Sequence, residues 1–278
     1  MTHARALLTV AMLLHATATV RAQDTLGLRS DGVVHQRVAV AIAPFGVEHY
    51  AALALRMQWD DGSDPLLAGT HLEVGALAYV SPVDAITGAY VSFSPWAFLT
   101  LRAELASMTA WSLGDLGNGF APIAPEDTAT ERAFGLRARL ETTFALAVQI
   151  DRVRPILHAT LGADFEQIGE QDHHVSARHD RVLARRDWML TSAVHAFVEL
   201  RVDPSLALRL GAFDDVRATP RTGETSHVAG PAAMLVLDHP DPHVAELSLL
   251  VRGGVHADEM PRAGEWTTLA ALFVRYEP

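Results

Sequence analysis

The chain has 278 residues, 49% of them apolar and 20% charged, with a net charge of −11. That composition carries enough apolar mass for a folded domain and excludes disorder, while the acidic balance excludes a protein that coats nucleic acid by neutralising phosphates. Cysteine is absent and every Lys/Arg-type residue is arginine, so disulfides, thiolate catalysis, thiolate metal centres and lysine Schiff-base chemistry are excluded together.

Residues 1–22 contain no acid. They run from a short basic start (His3, Arg5) through an apolar stretch, Ala6 to Leu14, to small residues ending at Val20-Arg21-Ala22. This is the layout of a secretory signal peptide cleaved after Ala22. The apolar stretch falls short of the roughly 20 residues that a spanning helix needs, and no later stretch reaches that length. The expected organisation is a signal peptide (1–22), an N-terminal segment (23–33) and one domain (34–278), since neither a repeat nor a long Gly/Ser or Pro-rich linker divides the rest.

From there a period of two recurs. Weaker alternations lie at Val38 to Ala43, Leu53 to Trp59, Leu72 to Val80, Ala85 to Phe93 and Val228 to Leu237. Stronger ones begin with Ala97, Leu99, Leu101, Ala103 and Leu105, which alternate with Phe98, Thr100, Arg102, Glu104 and Ala106. Phe134, Leu136, Ala138, Leu140, Thr142, Phe144, Leu146 and Val148 follow, interleaved with Arg137, Arg139 and Glu141. Leu157 to Phe165, Trp188 to Leu200, Leu206 to Leu210, Leu247 to Val251 and Trp266 to Tyr276 repeat the pattern. In a strand, successive side chains point to opposite faces, so each segment carries one apolar and one polar face. The 134–148 segment also fits a helix, because Leu136, Leu140, Phe144 and Val148 lie four apart. Many segments sharing one alternation decide for strands, about twelve in all.

The connections sort by length. Ser94-Pro95-Trp96, Asp203-Pro204-Ser205 and His239-Pro240-Asp241-Pro242 read as tight turns. Ser112 to Ala129, Gly169 to Arg186, Ala218 to Ser226 and Ala257 to Gly264 read as long polar excursions. A barrel threaded through a membrane has this asymmetry, with tight turns on one side and long loops on the other. Aromatic residues follow suit. Trp111, Phe134, Phe165, Trp188 and Trp266 stand on the apolar parity at the long-loop ends, and Phe93 and Tyr276 at the opposite ends, as two lipid-interface girdles would require.

With these features the chain resembles bacterial outer-membrane β-barrel proteins from Val34 to Tyr276. The resemblance implies an all-β, up-and-down antiparallel transmembrane barrel in the cell outer membrane, both termini on the periplasmic side. It also implies contact with outer-membrane lipid and with the outer-membrane assembly machinery. That family usually ends on an aromatic residue; here Phe273 and Tyr276 are followed by Glu277-Pro278.

If the apolar parity faces lipid, the other parity faces a lumen. It carries Arg56, Arg102, Glu104, Arg137, Arg139, Glu141, His158, Asp164, His195, Glu199, Arg201, Arg209, Glu246, Arg252 and Arg275. Both signs are present, so these residues either pair into a rigid salt-bridged plug or line a porin-like channel for small solutes. Arginine predominates, and an open pore would prefer anions. A soluble secreted or periplasmic ligand-binding barrel is the alternative. A minor alternative is an outer-membrane acyl hydrolase. His158 and His195 fall on the lumen parity and no serine has a nucleophile-elbow context, so no enzyme is expected. No cofactor is expected either. His173, His174 and His179 lie with Asp172 and Asp180 in one loop, and their spacing matches no standard zinc pattern. Asp60-Asp61-Gly62-Ser63-Asp64 lacks the downstream glutamate of a calcium loop and reads as a turn.

Overall fold

The computed structural model describes residues 22–23, 29–42, 45–59, 64–67, 69–111, 120–122, 132–150, 153–169, 173–176, 181–237, 244–257 and 264–276. Every regular element in it is a strand. A short β1 (Ala22–Gln23) leads into β2 (Arg29–Ile42), β3 (Phe45–Gln58), β4 (His71–Val80), β5 (Asp84–Trp96) and β6 (Leu99–Trp111). After β7 (Phe120–Pro122) come β8 (Arg132–Ala147), β9 (Val153–Ile168), β10 (His173–Ser176) and β11 (Arg181–Ala184). The chain finishes with β12 (Arg186–Asp203), β13 (Leu206–Thr219), β14 (Glu224–Leu237), β15 (Val244–His256) and β16 (Trp266–Tyr276).

Twelve of these close into one antiparallel barrel. Each pairs with its neighbours in chain order, β7, β10 and β11 being skipped, and β2 pairs with both β3 and β16. Closure leaves no open sheet edge, which is what a wall in contact with hydrocarbon needs. The helical reading of 134–148 fails because β8 is held along its length by β6 on one side and β9 on the other, from Trp111↔Arg132 to Ala147↔Ile156.

The alternation read from the sequence is the alternation of the wall. On β8, Phe134 (69% exposed), Leu136 and Leu140 point outward, while Arg137 is buried inside. On β6 Leu101 and Leu105 face out and Glu104, Ala106 and Met108 face in. A soluble protein hides such leucines; this one exposes them and buries its charges, which is the polarity of a transmembrane barrel. No helix among the described residues is long and apolar enough to cross a membrane.

Up-and-down order places the start of β2 and the end of β16 at one mouth. The connections spanning 112–131, 169–185 and 257–265 lie at the other, here called the long-loop mouth. Several sequence expectations shift. The first barrel strand starts at Arg29 rather than Val34. Ser94-Pro95-Trp96 is no turn: β5 continues through it with a register shift between Phe93 and Trp96, and the tight connection falls at Ala97-Phe98. The excursion at 218–226 shrinks to a hairpin at 220–223, because β13 and β14 stay paired to Thr219↔Glu224 and Gly223 supplies the positive φ of 72° that the reversal needs. Length sorting is also incomplete. Connections 43–44 and 81–83 are tight although they lie at the long-loop mouth, and 59–70, at the terminus mouth, is long. The acidic stretch Asp60-Asp61-Gly62-Ser63 in it falls outside the described residues, as does the His239–Pro242 turn.

Two of the long connections are not merely solvated loops. β10 pairs with β11 from Val175↔Val182 to His173↔Ala184, and with β7 at Val175↔Ala121, so the 112–131 and 169–185 segments are knitted into a three-stranded sheet. Leu183 on β11 is fully buried.

Candidate functional site

The lumen is built by register. Because the strands pair in fixed antiparallel register, charges that look unrelated in sequence stand opposite partners of the other sign. These include Arg56↔Glu73, Arg102↔Glu141, Glu104↔Arg139, Arg137↔Glu166 and Arg139↔Asp164. Glu199 stands between Arg154 and Arg209, and Glu246 stands opposite Arg275. Oppositely charged cross-strand pairs stabilise a sheet, and in a confined lumen they also satisfy one another's hydrogen-bonding capacity.

The sector from β3 to β9 is filled in two layers. At the long-loop end lies an apolar layer of Leu77, Ile86, Met108, Ala110, Ala133 and Ile168, all buried. Beneath it sits a charged layer. Arg137, only 2% exposed, grips Asp164 with Nε–Oδ1 at 2.8 Å and Nη2–Oδ2 at 2.5 Å, and its Nη1 lies 3.7 Å from Glu104 Oε2. The Tyr79 hydroxyl donates to Glu104 at 3.2 Å, and Arg137 lies over the Tyr79 ring. Arg102 donates from Nε to Glu104 (2.7 Å) and from Nη2 to the Tyr50 hydroxyl (2.7 Å), with its guanidinium 3.9 Å over the Tyr90 ring. Glu73 collects Arg56 Nε at 2.7 Å, His35 Nε2 at 3.2 Å and the Tyr90 hydroxyl at 3.4 Å. Arg139 and Glu141 form a close ion pair beside this network.

The other sector, β12 to β15, is looser. Glu199 accepts from Arg209 Nε at 2.8 Å and from Arg154 Nη1 at 3.5 Å. Arg252 pairs with Asp215 at 2.7 Å, lies 4.5 Å over the Phe213 ring, and reaches His195 Nε2 at 3.4 Å. His195 is edge-on to His158 and stacked between Phe197 and Phe213. Arg201 donates to the Pro204 carbonyl at the terminus mouth.

Of the positions expected to face the lumen, those whose side chains are described lie on the inner face; the side chain of Glu246 lies outside the described residues, as does that of the girdle candidate Tyr276. Sequence reading missed the tyrosines. Tyr50, Tyr79 and Tyr90 lie on the inward parity of their strands and bind the charged layer; their hydroxyls were the available signal.

Outside, Phe93, Trp111, Phe134, Phe165, Trp188 and Trp266 lie on the outward parity of their strands. Phe165 and Trp188 touch, with ring centroids at 5.3 Å, and Trp111 donates from its indole Nε1 to the Pro82 carbonyl at 2.7 Å. Trp266 and Phe93 are exposed on the outer face. The terminus side also carries three rings that the sequence reading did not assign to a girdle: Trp59, stacked on Phe93, and the stacked pair Trp96–Phe98. Among the described residues no group of three or more metal-ligating side chains occurs. His173 and His174 lie on β10 and their side chains, with all of His179, fall outside the described residues.

The fold and its reversed polarity define a transmembrane β-barrel, all-β and twelve-stranded. No family model matches the sequence, and no curated protein matches it. Among solved structures, the chain is similar to the β domain of the Bordetella autotransporter BrkA (TM-score 0.47, 10% identity, covering 89% of this chain and 98% of that one). It is also similar to the NanC porin (0.38, 7%, 88% and 100%). An outer membrane channel from Pseudomonas putida F1 is a third (0.36, 12%, 92% and 97%). At such identities the functional residues have to be read from this chain's own geometry.

Proposed function

We propose that the protein is an outer-membrane channel for small solutes with a preference for anions. The observation that carries this reading is how the lumen orders its charges. In the pairs Arg37–Glu48, Arg56–Glu73, Arg102–Glu104, Arg139–Glu141, Arg154–Glu199, Arg209–Glu199 and Arg252–Asp215, the arginine is the more exposed partner. The contrast is largest at Arg154 against Glu199, 43% against 6%. Short carboxylates lie against the wall and long guanidinium stems reach past them, so water in the lumen meets positive charge although the chain as a whole is acidic. A ring of such groups lowers the barrier for anions and raises it for cations. Arg37, Arg154 and Arg209 lie outside the sealed layer of Arg137, Glu104 and Asp164. The path therefore follows the β2 and β9–β15 walls.

The row Arg154–Glu199–Arg209 and the nearby Arg201 sit at the terminus mouth, the periplasmic side in this reading. They carry a surplus of positive charge where a solute enters or leaves. The sealed sector supplies rigidity and narrows the lumen, a division that suits twelve strands. Eight strands enclose a lumen that side chains fill, and sixteen or more leave a wide aqueous pore.

The test is purified protein in planar bilayers under a potassium chloride gradient. A reversal potential on the chloride side is expected, moving toward zero in Arg154→Glu/Arg209→Glu. Cation preference, or absence of conductance in a correctly folded barrel, overturns the reading.

A further inference from the structure

We infer that the wall between β14 and β15 is a lateral portal through which a molecule with an anionic head and an alkyl tail passes between the lumen and the membrane. This rests on the barrel being membrane-embedded, as proposed above.

Across this seam the ladder runs Val228↔His256 and Ala229↔Val255, then stops, and resumes only at Ala232↔Arg252. The unpaired stretch is Gly230-Pro231 facing Gly253-Gly254, while the same Gly230 and Pro231 remain paired to Phe213 and Ala212 on β13. The interruptions at Phe93/Trp96, Arg201/Asp203 and Val244/Glu246 are bulges that shift the register near a strand end; here two rows drop out and the register resumes unshifted. Pro231 has no N–H to give, and the three glycines bring no side chain to either face. Hydrocarbon cannot satisfy backbone groups, so a transmembrane wall normally keeps every row paired. The two backbones still touch here, since a Cβ on Gly230 would meet the Gly253 oxygen at 2.1 Å, so the gap is one of pairing and not of space; unpaired rows are where this wall separates at least cost.

Both sides of the gap are chemically prepared. Inside, the Phe213 ring lies against it: a Cβ on Gly254 would come within 2.8 Å of Phe213 Cζ, so the bare backbone is what admits the ring. Phe213 packs with Phe197 and Ala232, joined by Ile156, Val228 and Leu250, an apolar patch separate from the apolar layer of the β3–β9 sector. Arg252 lies over the same ring and borders the gap. An anionic head that displaces Asp215, which holds Arg252 at 2.7 Å, finds a guanidinium one row from where a tail finds an apolar surface. Outside, Asp214 and His227 are hydrogen-bonded to each other on the outward side of β13 and β14, about half exposed. Asp214 is the one carboxylate at an outward-facing position of the barrel strands among the described residues. Through Asp214↔Ala229↔Val255↔Trp266 it lies in one cross-strand row with the girdle tryptophan, at headgroup level. Leu235, Leu249 and Val251 continue the outer face below it at acyl-chain level. Phe213 acts as the inner shutter, and sliding it off Gly254 exposes the gap.

The chain's lack of cysteine makes the test clean. Ala229→Cys and Val255→Cys stand directly opposite each other beside the gap, so oxidation staples the seam and reduction frees it. The probe is dodecyl phosphate added to proteoliposomes, its inward movement read after albumin strips the outer leaflet. The wild-type chain is expected to move it at least tenfold faster than protein-free vesicles. The oxidised double variant should fall to the protein-free rate and recover on reduction, while chloride conductance stays unchanged throughout. Phe213→Ala should raise the rate. Equal transport by oxidised and reduced variants, or a wild-type rate equal to that of protein-free vesicles, overturns the portal. Dodecyl phosphate transport without chloride conductance would overturn the channel reading and leave the portal standing.

Discussion

Replacing Asp164 by alanine tests whether the β3–β9 sector is solvent-excluded. Arg137 is 2% exposed, and its fork onto Asp164 is its principal charge partner. Removing one member of such a pair strands a buried charge and costs about 3–5 kcal/mol, whereas the same truncation of a solvated pair costs about 0–1 kcal/mol. Glu104 Oε2 remains 3.7 Å from the stranded guanidinium, which places the expected loss at the low end, about 3 kcal/mol. Replacing both partners, Arg137→Met with Asp164→Leu, removes the stranded charge and should recover most of that loss, because well-packed apolar substitutes for a buried ion pair are close to neutral. The assay is urea unfolding in lipid vesicles, followed by tryptophan fluorescence and by the heat-dependent shift in gel mobility, as a double-mutant cycle. A single-variant loss below about 1 kcal/mol with no coupling would mean that water reaches the pair, and the sealed-sector argument would be wrong.

The outer face makes a separate prediction. Leu140→Arg, at a half-exposed outward position on β8, should cost about 2–4 kcal/mol in vesicles if that face meets hydrocarbon; a neutral effect would instead indicate water there. Trp111→Phe keeps an aromatic side chain and deletes the donor to Pro82, so a loss of about 1 kcal/mol is expected in the same unfolding assay. Envelope fractionation of cells expressing the chain should recover it with the outer membrane, migrating faster on gels before boiling than after; recovery in the soluble periplasm would contradict the membrane assignment. Gly254→Val should drive the Phe213 ring from its seat and lower barrel stability more than Gly253→Val, whose Cβ meets nothing closer than 3.7 Å.

The architecture was legible in the sequence because a barrel wall has a strict two-residue period and each face has one solvent. Once the recurrence of the alternation settles for strands, Phe134 to Val148 and Leu99 to Leu105 declare their outward face by that period, as do the positions of Trp188 and Trp266. Where local chemistry was ambiguous the reading slipped. Pro95 signals a turn in isolation, but a bulge absorbs it and β5 runs on to Trp96. The polar stretch 218–226 looks like a loop because a hairpin projecting into water needs no apolar face, yet its strands stay paired.

The parity of Arg137, Asp164 and Glu199 was legible in the sequence, and with it their inward direction, whereas Arg154 precedes the alternation read from Leu157 and was placed only by the structure. Which of them meet was not legible, because cross-strand partners are set by register between strands that are far apart in the chain or joined by connections of unreadable length. Register alone turns Arg137 toward Asp164, sandwiches Glu199 between two arginines and opposes Gly230-Pro231 to Gly253-Gly254. The difference between a sealed sector, an arginine-lined path and a weak seam is likewise a property of the closed wall. Solvent exclusion in the lumen depends on all twelve strands at once, and no single segment carries it.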